Sequence, residues 1–342
     1  MAKIIGENID TLCNFQMLPG KGDLPRGHTK VFYDFARRKQ KEPLTYLAAT
    51  ALKERVKAGD RVLIVTGCRS IPHMPFGETD GPIGAVALAR ALTVGLGAKP
   101  IISVEEDNAD PTIATIRAAG CYLRDEKYLD SVPGSCAIDF YPLGPEAGKE
   151  YALELIEKHN PAAIIFCEKH GPNSVGEYHS VTGYRIDKNE MANTWFLLEE
   201  AEKRNILTIG TGDGGNEIGN GLIWEEIHGQ MPGYGDWCRC GCGGGIATIA
   251  KTDIFVAASI SNWGLYGVAA MLAFLLGDVD VMHDEDTERR MVEACAHYGS
   301  LDGIFFAPIP RVDGISLRGG QAFVTLLREI ITNGLREVAR YA

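Results

Sequence analysis

No segment of this sequence reaches the ~18 consecutive apolar residues of a membrane span. The longest candidate, Leu265 to Leu276, is too short, so no membrane association is expected. The N-terminal MAKIIGENIDTLCNF has polar residues where a signal peptide needs an unbroken apolar stretch, and the cytoplasm is the expected location. Basic residues are the scarcer charge: 34 Lys plus Arg against 45 Asp plus Glu give a formal charge of -11, and no stretch concentrates them. Nucleic acid and anionic surfaces are therefore poor partners. No G-x-x-x-x-G-K-[ST] element occurs, which removes a P-loop and ATP use through it. The nine cysteines are odd in number and scattered, which suits a reducing compartment better than a disulfide framework. No Pro- or Ser-rich linker and no internal repeat divide the chain.

What is present is ample core material, 45% hydrophobic residues against 23% charged over 342 residues, with 40 glycines in short polar clusters. From residue 42 onward, helical periodicity alternates with short Val- and Ile-rich runs. A helix at Glu42 to Ala58 precedes the strand RVLIVTG, the helix PIGAVALARALTVG precedes PIISVEE, and PTIATIRAAG precedes CYL. Ala147 to Lys158 precedes PAAIIFCE, and Asn189 to Lys203 precedes ILTIG. Five such passages predict a three-layer α/β fold, a mostly parallel sheet with helices on both faces. A strand in TDIFVAASI and helices at Leu265 to Leu276, Glu285 to His297 and Gln321 to Tyr341 complete the chain. The expected organisation is one domain over 1–342, with residues 1–41 as an N-terminal arm.

Four strands end in polar or glycine-rich loops, which in an open α/β sheet should converge on one site. In the first, Glu78, Thr79 and Asp80 stand just before Pro82. Thr79 or Asp80 can cap that helix, and the free N–H groups there can also bind a substrate carboxylate. The second, CEKHGPNSVGEYHSVTGYRID, holds Glu168 and His170 on the same side of the strand end, a pair able to bind a divalent metal or relay a proton. His179 in the same loop reads as a surface salt-bridging residue.

The third loop, GTGDGGNEIGNG, contains Gly210-x-Gly212-x-x-Gly215, formally a dinucleotide fingerprint. Asp213 would face the pyrophosphate, and no strand with a terminal acidic residue follows at the spacing a ribose contact requires, so no nucleotide cofactor is expected. The glycines instead let backbone approach a small ligand, while Asp213, Asn216 and Glu217 offer metal ligands or polar contacts. Asn262 belongs to the fourth loop, SISNWGLYG. Cys238, Cys240 and Cys242 form C-x-C-x-C. Structural zinc normally uses two C-x2-C pairs, and the missing second pair argues against zinc here. A reactive thiol remains open.

Taken together, GETDGPIGAVALARAL at 77–92, the loop at 167–187, GTGDGGNEIGNG, SNWGLYG and the pair SLDGI and RVDGI resemble the D-glutamate cyclase family, in its C-terminal cyclase-like domain. The resemblance implies a lyase that dehydrates free glutamate, D-glutamate first, to 5-oxoproline by attack of the α-amine on the γ-carboxyl carbon. An ammonium must first lose a proton, and an ionised carboxylate needs its charge withdrawn by a cation or acid. These requirements assign a divalent ion, Mn2+ or Mg2+, to Asp213, Glu217 and Glu168, with Asp213 also catalytic. His170 is assigned as base and Tyr178 as proton donor. Substrate contacts are assigned to Glu78, Thr79, Asp80, Gly81, Gly84, Asn173, Gly212, Gly214, Asn216, Asn262 and Asp313, the amides of Gly81 to Gly84 holding the α-carboxylate. Asp302 and Asp313 read first as turn residues. The other readings are a hydrolase or racemase on a related lactam or dicarboxylate, and a non-catalytic protein that binds a small ligand. A small-molecule partner is expected in each case, and a homo-oligomer is compatible with the sequence.

Overall fold

The computed structural model describes residues 1–17, 24–231 and 233–341. In chain order, helices α1 (Ala2–Cys13), α2 (His28–Gln40) and α3 (Leu44–Arg55) precede strand β1 (Arg61–Val65). Then follow α4 (Pro82–Leu96), β2 (Lys99–Val104), α5 (Ala109–Ala118), β3 (Tyr122–Leu123), β4 (Ser135–Phe140), α6 (Pro145–His159) and β5 (Ala163–Cys167). A two-stranded hairpin of β6 (Tyr178–His179) and β7 (Arg185–Ile186) leads to α7 (Phe196–Arg204), β8 (Leu207–Gly212), α8 (Trp224–Gln230) and β9 (Ile254–Ala257). Helices α9 (Ser261–Leu276) and α10 (Glu285–His297), a short hairpin of β10 (Arg311–Val312) and β11 (Ile315–Ser316), and α11 (Leu317–Tyr341) finish the chain.

Seven strands form one sheet in the order β3-β4-β2-β1-β5-β8-β9, and every pairing in it is parallel. The crossovers carry helices to the two faces, except between β3 and β4, where there is only a 3-10 turn at Glu126–Tyr128, and this produces the three-layer fold expected from the alternation. Strand alternation divides the core. Val62 and Ile64 of β1 pack with α3, α4 and α9, whereas Leu63 and Val65 pack with α6 and α7. The chain runs outward from β1 through β2 and then returns to β5 on the other side of β1, so the switch point lies at the carboxyl ends of β1 and β5.

Helix α9 is buried from Ser261 through Phe274, as a helix that is apolar all round must be. It lies beneath α1 and α11, which form an additional outer tier on that face. The N-terminal stretch set apart as an arm thus consists largely of two helices, and Ile5, Ile9, Phe32 and Phe35 belong to the main core. Among the described residues no helix is long and apolar enough to cross a membrane.

Strand β4 is absent from the sequence reading, because SCAIDF breaks apolar patterning with Ser135 and Asp139. Its polar groups find partners instead: Ser103 Oγ donates to Asp139 Oδ2 at 2.7 Å and Tyr151 OH to Oδ1 at 2.5 Å. The helix expected from Asn189 begins only at Phe196. Asn193 Nδ2 donates to Lys188 O at 2.6 Å and Met191 O at 3.0 Å, which holds that stretch in a loop. Helices α9 and α11 each start four residues before their expected first residue.

Candidate active site

A cavity of about 570 Å³ opens at the carboxyl ends of β1, β5 and β8, where the switch point places it. Cys68 and Glu78 reach it from the loop after β1, Glu168 and His170 from the end of β5, and Asn216 and Glu217 from the loop after β8. Val181 and Tyr184 of the β6–β7 hairpin, Ile304 and Phe306 supply less polar walls. The volume lies within the range of small-molecule sites, about 300–1,000 Å³.

The convergence of three of the strand-end loops is as expected, but the pairing of carboxylates differs. Ligand oxygens of Asp80, Glu168 and Asp213 lie within 4.8 Å of one another, all three residues buried. Glu217 is not in this group. Its carboxylate accepts from Gly214 N at 3.1 Å, Gly215 N at 2.9 Å and Asn220 Nδ2 at 2.8 Å, which folds the glycine loop onto itself. Gly212 and Gly214 are consequently small because Glu217 and Asn216 press against them, an added Cβ at Gly214 falling 2.6 Å from Asn216 Oδ1. Their closeness to side chains accounts for the glycines without a ligand.

Asp80 was expected to cap its own helix or touch substrate; its Oδ1 accepts from Gly81 N at 3.0 Å at that helix start, and it also caps α9. Its Oδ1 accepts from Asn262 N at 2.7 Å and its Oδ2 from Ser261 N at 2.9 Å. Asn262 in turn caps α4, its Oδ1 accepting from Gly81 N at 2.9 Å and Gly84 N at 2.6 Å. The amides assigned to a substrate carboxylate are therefore already occupied by Asn262, because the two helix starts approach closely. A Cβ on Gly84 would lie 2.7 Å from Asn262 Cα. Thr79 is likewise used by the fold: its amide donates to Leu301 O at 2.9 Å and its hydroxyl to Arg311 O at 2.7 Å.

Two other assigned residues stand apart. Tyr178 does not line the cavity; it packs with Ile186, Met191 and Trp195, and burial pushes its phenol still further above the usual range. Asn173 spends both ends of its amide on loop backbone, accepting from Val175 N and Glu177 N and donating to Gly245 O at 2.8 Å. Asp302 is a turn residue, holding the amides of Ile304, Phe305 and Gly314. Asp313 is buried with a left-handed φ of 48°. A Cβ on Gly303 would fall 2.8 Å from Asp313 Oδ1 and also against Glu78, so these two carboxylates face a common point.

His170 meets Cys68, whose sulfur lies 3.4 Å from Nε2 and 3.5 Å from Nδ1. Burial, reinforced by Glu78 and Glu168, raises the Cys68 thiol well above its ordinary range, so it stands beside the imidazole as a thiol. Cys68 lies in a loop the sequence reading flagged, yet without the partner loop nothing marked it. Asn216 lines the cavity with Oδ1 buried and unpartnered, while its Nδ2 donates to His179 O at 2.9 Å. Beneath the site Lys169 pairs with Glu105, both side chains 1% exposed, and Lys169 Nζ donates to Gly67 O at 2.8 Å. This ion pair was not foreseen, because Glu105 comes from the end of β2.

The oxygen-only set of Asp80, Glu168 and Asp213, with ligand atoms within 4.8 Å of one another, has the donor chemistry that suits a hard divalent cation. Thr66 Oγ1 is also buried without a partner, and it converges with the Glu168 Cβ on Gly81.

The chain is 27% identical over 219 residues to human "D-glutamate cyclase, mitochondrial", a match covering 63% of this chain and 33% of that protein. The aligned region thus spans about a third of the length of the curated relative. The family described as "D-glutamate cyclase-like, C-terminal" matches residues 28–328, from α2 into α11, so the chain belongs to that family.

Proposed function

We propose that this chain dehydrates free glutamate, with D-glutamate the first candidate, to 5-oxoproline. The observation that supports it best is the juxtaposition of the His170 imidazole and the Glu168 carboxylate in one cavity, with Asp80 and Asp213 buried against Glu168, in a chain of the D-glutamate cyclase-like family. In the reaction the α-nitrogen bonds to the γ-carboxyl carbon, a C–O bond breaks, and water leaves. Both protons lost by the ammonium end on the departing oxygen, so no net proton is exchanged. One base that reaches both atoms suffices, and His170 fills this role without Tyr178.

A divalent cation held by Asp80, Glu168 and Asp213 would withdraw charge from the γ-carboxylate. Independently of it, Asn216 Oδ1 presents an unsatisfied acceptor to the cavity, suited to an ammonium. Glu78 stands where it can receive or return a proton. Less polar residues such as Val181 and Phe306 help to limit water at the reacting centre. The odd, scattered cysteine usage supports a reducing compartment, with the cytoplasm the first candidate.

The test incubates purified protein with each glutamate enantiomer separately, in Mn2+, Mg2+ or chelator, and follows the mass of the product. Loss of one water from one enantiomer supports the cyclase, and suppression by chelator that Mn2+ or Mg2+ reverses, but Zn2+ does not, supports the cation. Ring opening of added 5-oxoproline with no cyclisation points to the hydrolase reading instead. Absence of both reactions, with glutamate still bound, points to a binding protein.

A further inference from the structure

The loop from Tyr234 to Gly245 contributes no residue to the chemistry proposed above. Its three thiols nevertheless converge on an imidazole from another part of the chain. His179 Nε2 lies 3.2 Å from Cys240 Sγ and 3.9 Å from Cys242 Sγ, and Cys238 Sγ lies 3.4 Å from Cys240 Sγ and 3.5 Å from Cys242 Sγ. All four ligand atoms fall within 4.8 Å of one another. Zinc at about 2.3 Å from sulfur and about 2.0 Å from nitrogen requires tetrahedral edges of about 3.5–3.8 Å. The observed separations straddle those edges and are far longer than the ~2.05 Å of a disulfide.

His179 supplies an independent observation. It is 1% exposed, its Nδ1 has no hydrogen-bond partner, and its Nε2 faces only sulfur. A buried ring with neither nitrogen satisfied by oxygen or nitrogen lacks a structural reason to be there. The expected surface salt bridge is not its role. Around the sulfurs, Asn173 Nδ2 and Gly244 N donate to Cys242 Sγ at 3.4 and 3.5 Å, the kind of outer contact that orients a thiolate ligand. Cys240 is exposed, which leaves a path for an ion to enter.

We infer that His179, Cys238, Cys240 and Cys242 form a tetrahedral Cys3His site for a structural zinc ion. Four protein ligands fill the coordination sphere, leaving no open position for substrate. The missing second cysteine pair is replaced by the histidine of the β6–β7 hairpin, a substitution that sequence spacing does not reveal. Binding releases the thiol protons to solvent. The ion fastens the hairpin to the cysteine loop at a place where Arg239 N already donates to Gly183 O at 3.0 Å and Arg239 Nε to Thr182 O at 2.7 Å. Ser180, Val181 and Thr182, which follow His179, line the cavity. The zinc therefore holds one cavity wall, separately from any cation at Asp80, Glu168 and Asp213.

The whole chain, expressed with zinc and purified under reductant, is assayed for metal by mass spectrometry and for accessible thiols. After chelation it is titrated with Co2+. Stoichiometric zinc, protection of Cys240 and Cys242 that chelation reverses, and the charge-transfer and ligand-field bands of tetrahedral cobalt–thiolate are expected. His179→Ala and Cys240→Ser should lose these signals, whereas Cys295→Ala and Asp213→Asn retain them. Folded wild-type protein that takes up neither metal and leaves Cys240 and Cys242 reactive overturns the site, as does a disulfide among the three cysteines in reduced protein. Because the readouts are metal content and spectra, failure of the cyclase assay leaves the outcome unaffected.

Discussion

Asp80 and Asn262 cap each other's helices. Asp80 accepts from Ser261 N and Asn262 N at the start of α9, and Asn262 Oδ1 accepts from Gly81 N and Gly84 N at the start of α4. Asn262 Nδ2 also donates to Thr79 O at 3.0 Å. The exchange fixes the loop after β1 against the end of β9 and sets Asp80 beside Glu168 and Asp213. Asn262→Ala strips the buried Gly84 amide and the Thr79 carbonyl of this partner, while Gly81 N keeps Asp80 Oδ1 at 3.0 Å, and each unsatisfied group costs about 1–3 kcal/mol. A lowered denaturant midpoint with an unchanged m-value is expected. A midpoint equal to that of the parent protein would show that these groups find other partners.

Three carboxylates packed within 4.8 Å favour function over stability. Asp213→Asn removes one charge, so the metal-free variant should melt no lower than the metal-free parent while turnover disappears. In the parent, saturating Mn2+ should raise the melting temperature, since a ligand at 100 times its Kd contributes about 2.7 kcal/mol. The variant should show a much smaller rise. Equal Mn2+ shifts in both proteins would place the ion elsewhere.

His170 and Tyr178 divide the proton-transfer assignment cleanly. His170 lines the cavity and Tyr178 does not, its hydroxyl being buried without a hydrogen-bond partner. His170→Ala should reduce kcat by about 10²–10⁴, the usual worth of a positioned base. Tyr178→Phe should keep the parent kcat and be neutral or slightly stabilising, because it deletes an unsatisfied buried hydroxyl. A large kcat loss in Tyr178→Phe would return the tyrosine to the mechanism.

Asp10 supplies a pH signature far from the site. Its carboxylate accepts from Leu44 N at 2.6 Å, Thr45 N at 3.0 Å and Thr45 Oγ1 at 2.5 Å, yet burial outweighs these donors and raises its pKa from 3.8 to about 6. A group whose folded pKa is raised contributes stability in full below its unfolded pKa and loses it as pH rises through the folded value. Parent stability should therefore fall relative to Asp10→Asn between about pH 4 and 6, by up to ~3 kcal/mol at about 1.4 kcal/mol per unit. Denaturant unfolding of both proteins at several pH values checks this, and a stability gap independent of pH would refute the raised pKa.

The fold was legible because each β–α passage repeats a local pattern, and Val62 to Val65 alternate faces within a single strand. The loops of the site were legible because glycine and carboxylates collect at strand ends, where a parallel sheet puts its ligands. What each carboxylate does was not. Glu217 turns back onto Gly214 and Gly215, three and two residues away, whereas Asp80 reaches a helix start whose residues lie far along the chain. Spacing alone treats the two alike. His179 was hidden for the same reason, since its three sulfur neighbours come from a loop that only the folded chain brings near.

The Lys169–Glu105 pair tests how rigid the platform beneath the cavity is. Both side chains are buried, Lys169 also donates to Gly67 O, and Glu105 Oε1 accepts from Ala192 N at 3.1 Å. Lys169 adjoins Glu168 and His170, so its anchor sets where those two side chains enter the cavity. Lys169→Met leaves a buried carboxylate without its cation and should cost about 3–5 kcal/mol. Adding Glu105→Gln removes the stranded charge, so the double variant should regain part of the loss. Chemical denaturation of the four proteins of this cycle isolates the coupling. If the single and double variants are equally unstable, the cost arises from lost packing around the lysine stem and not from the unpaired charge.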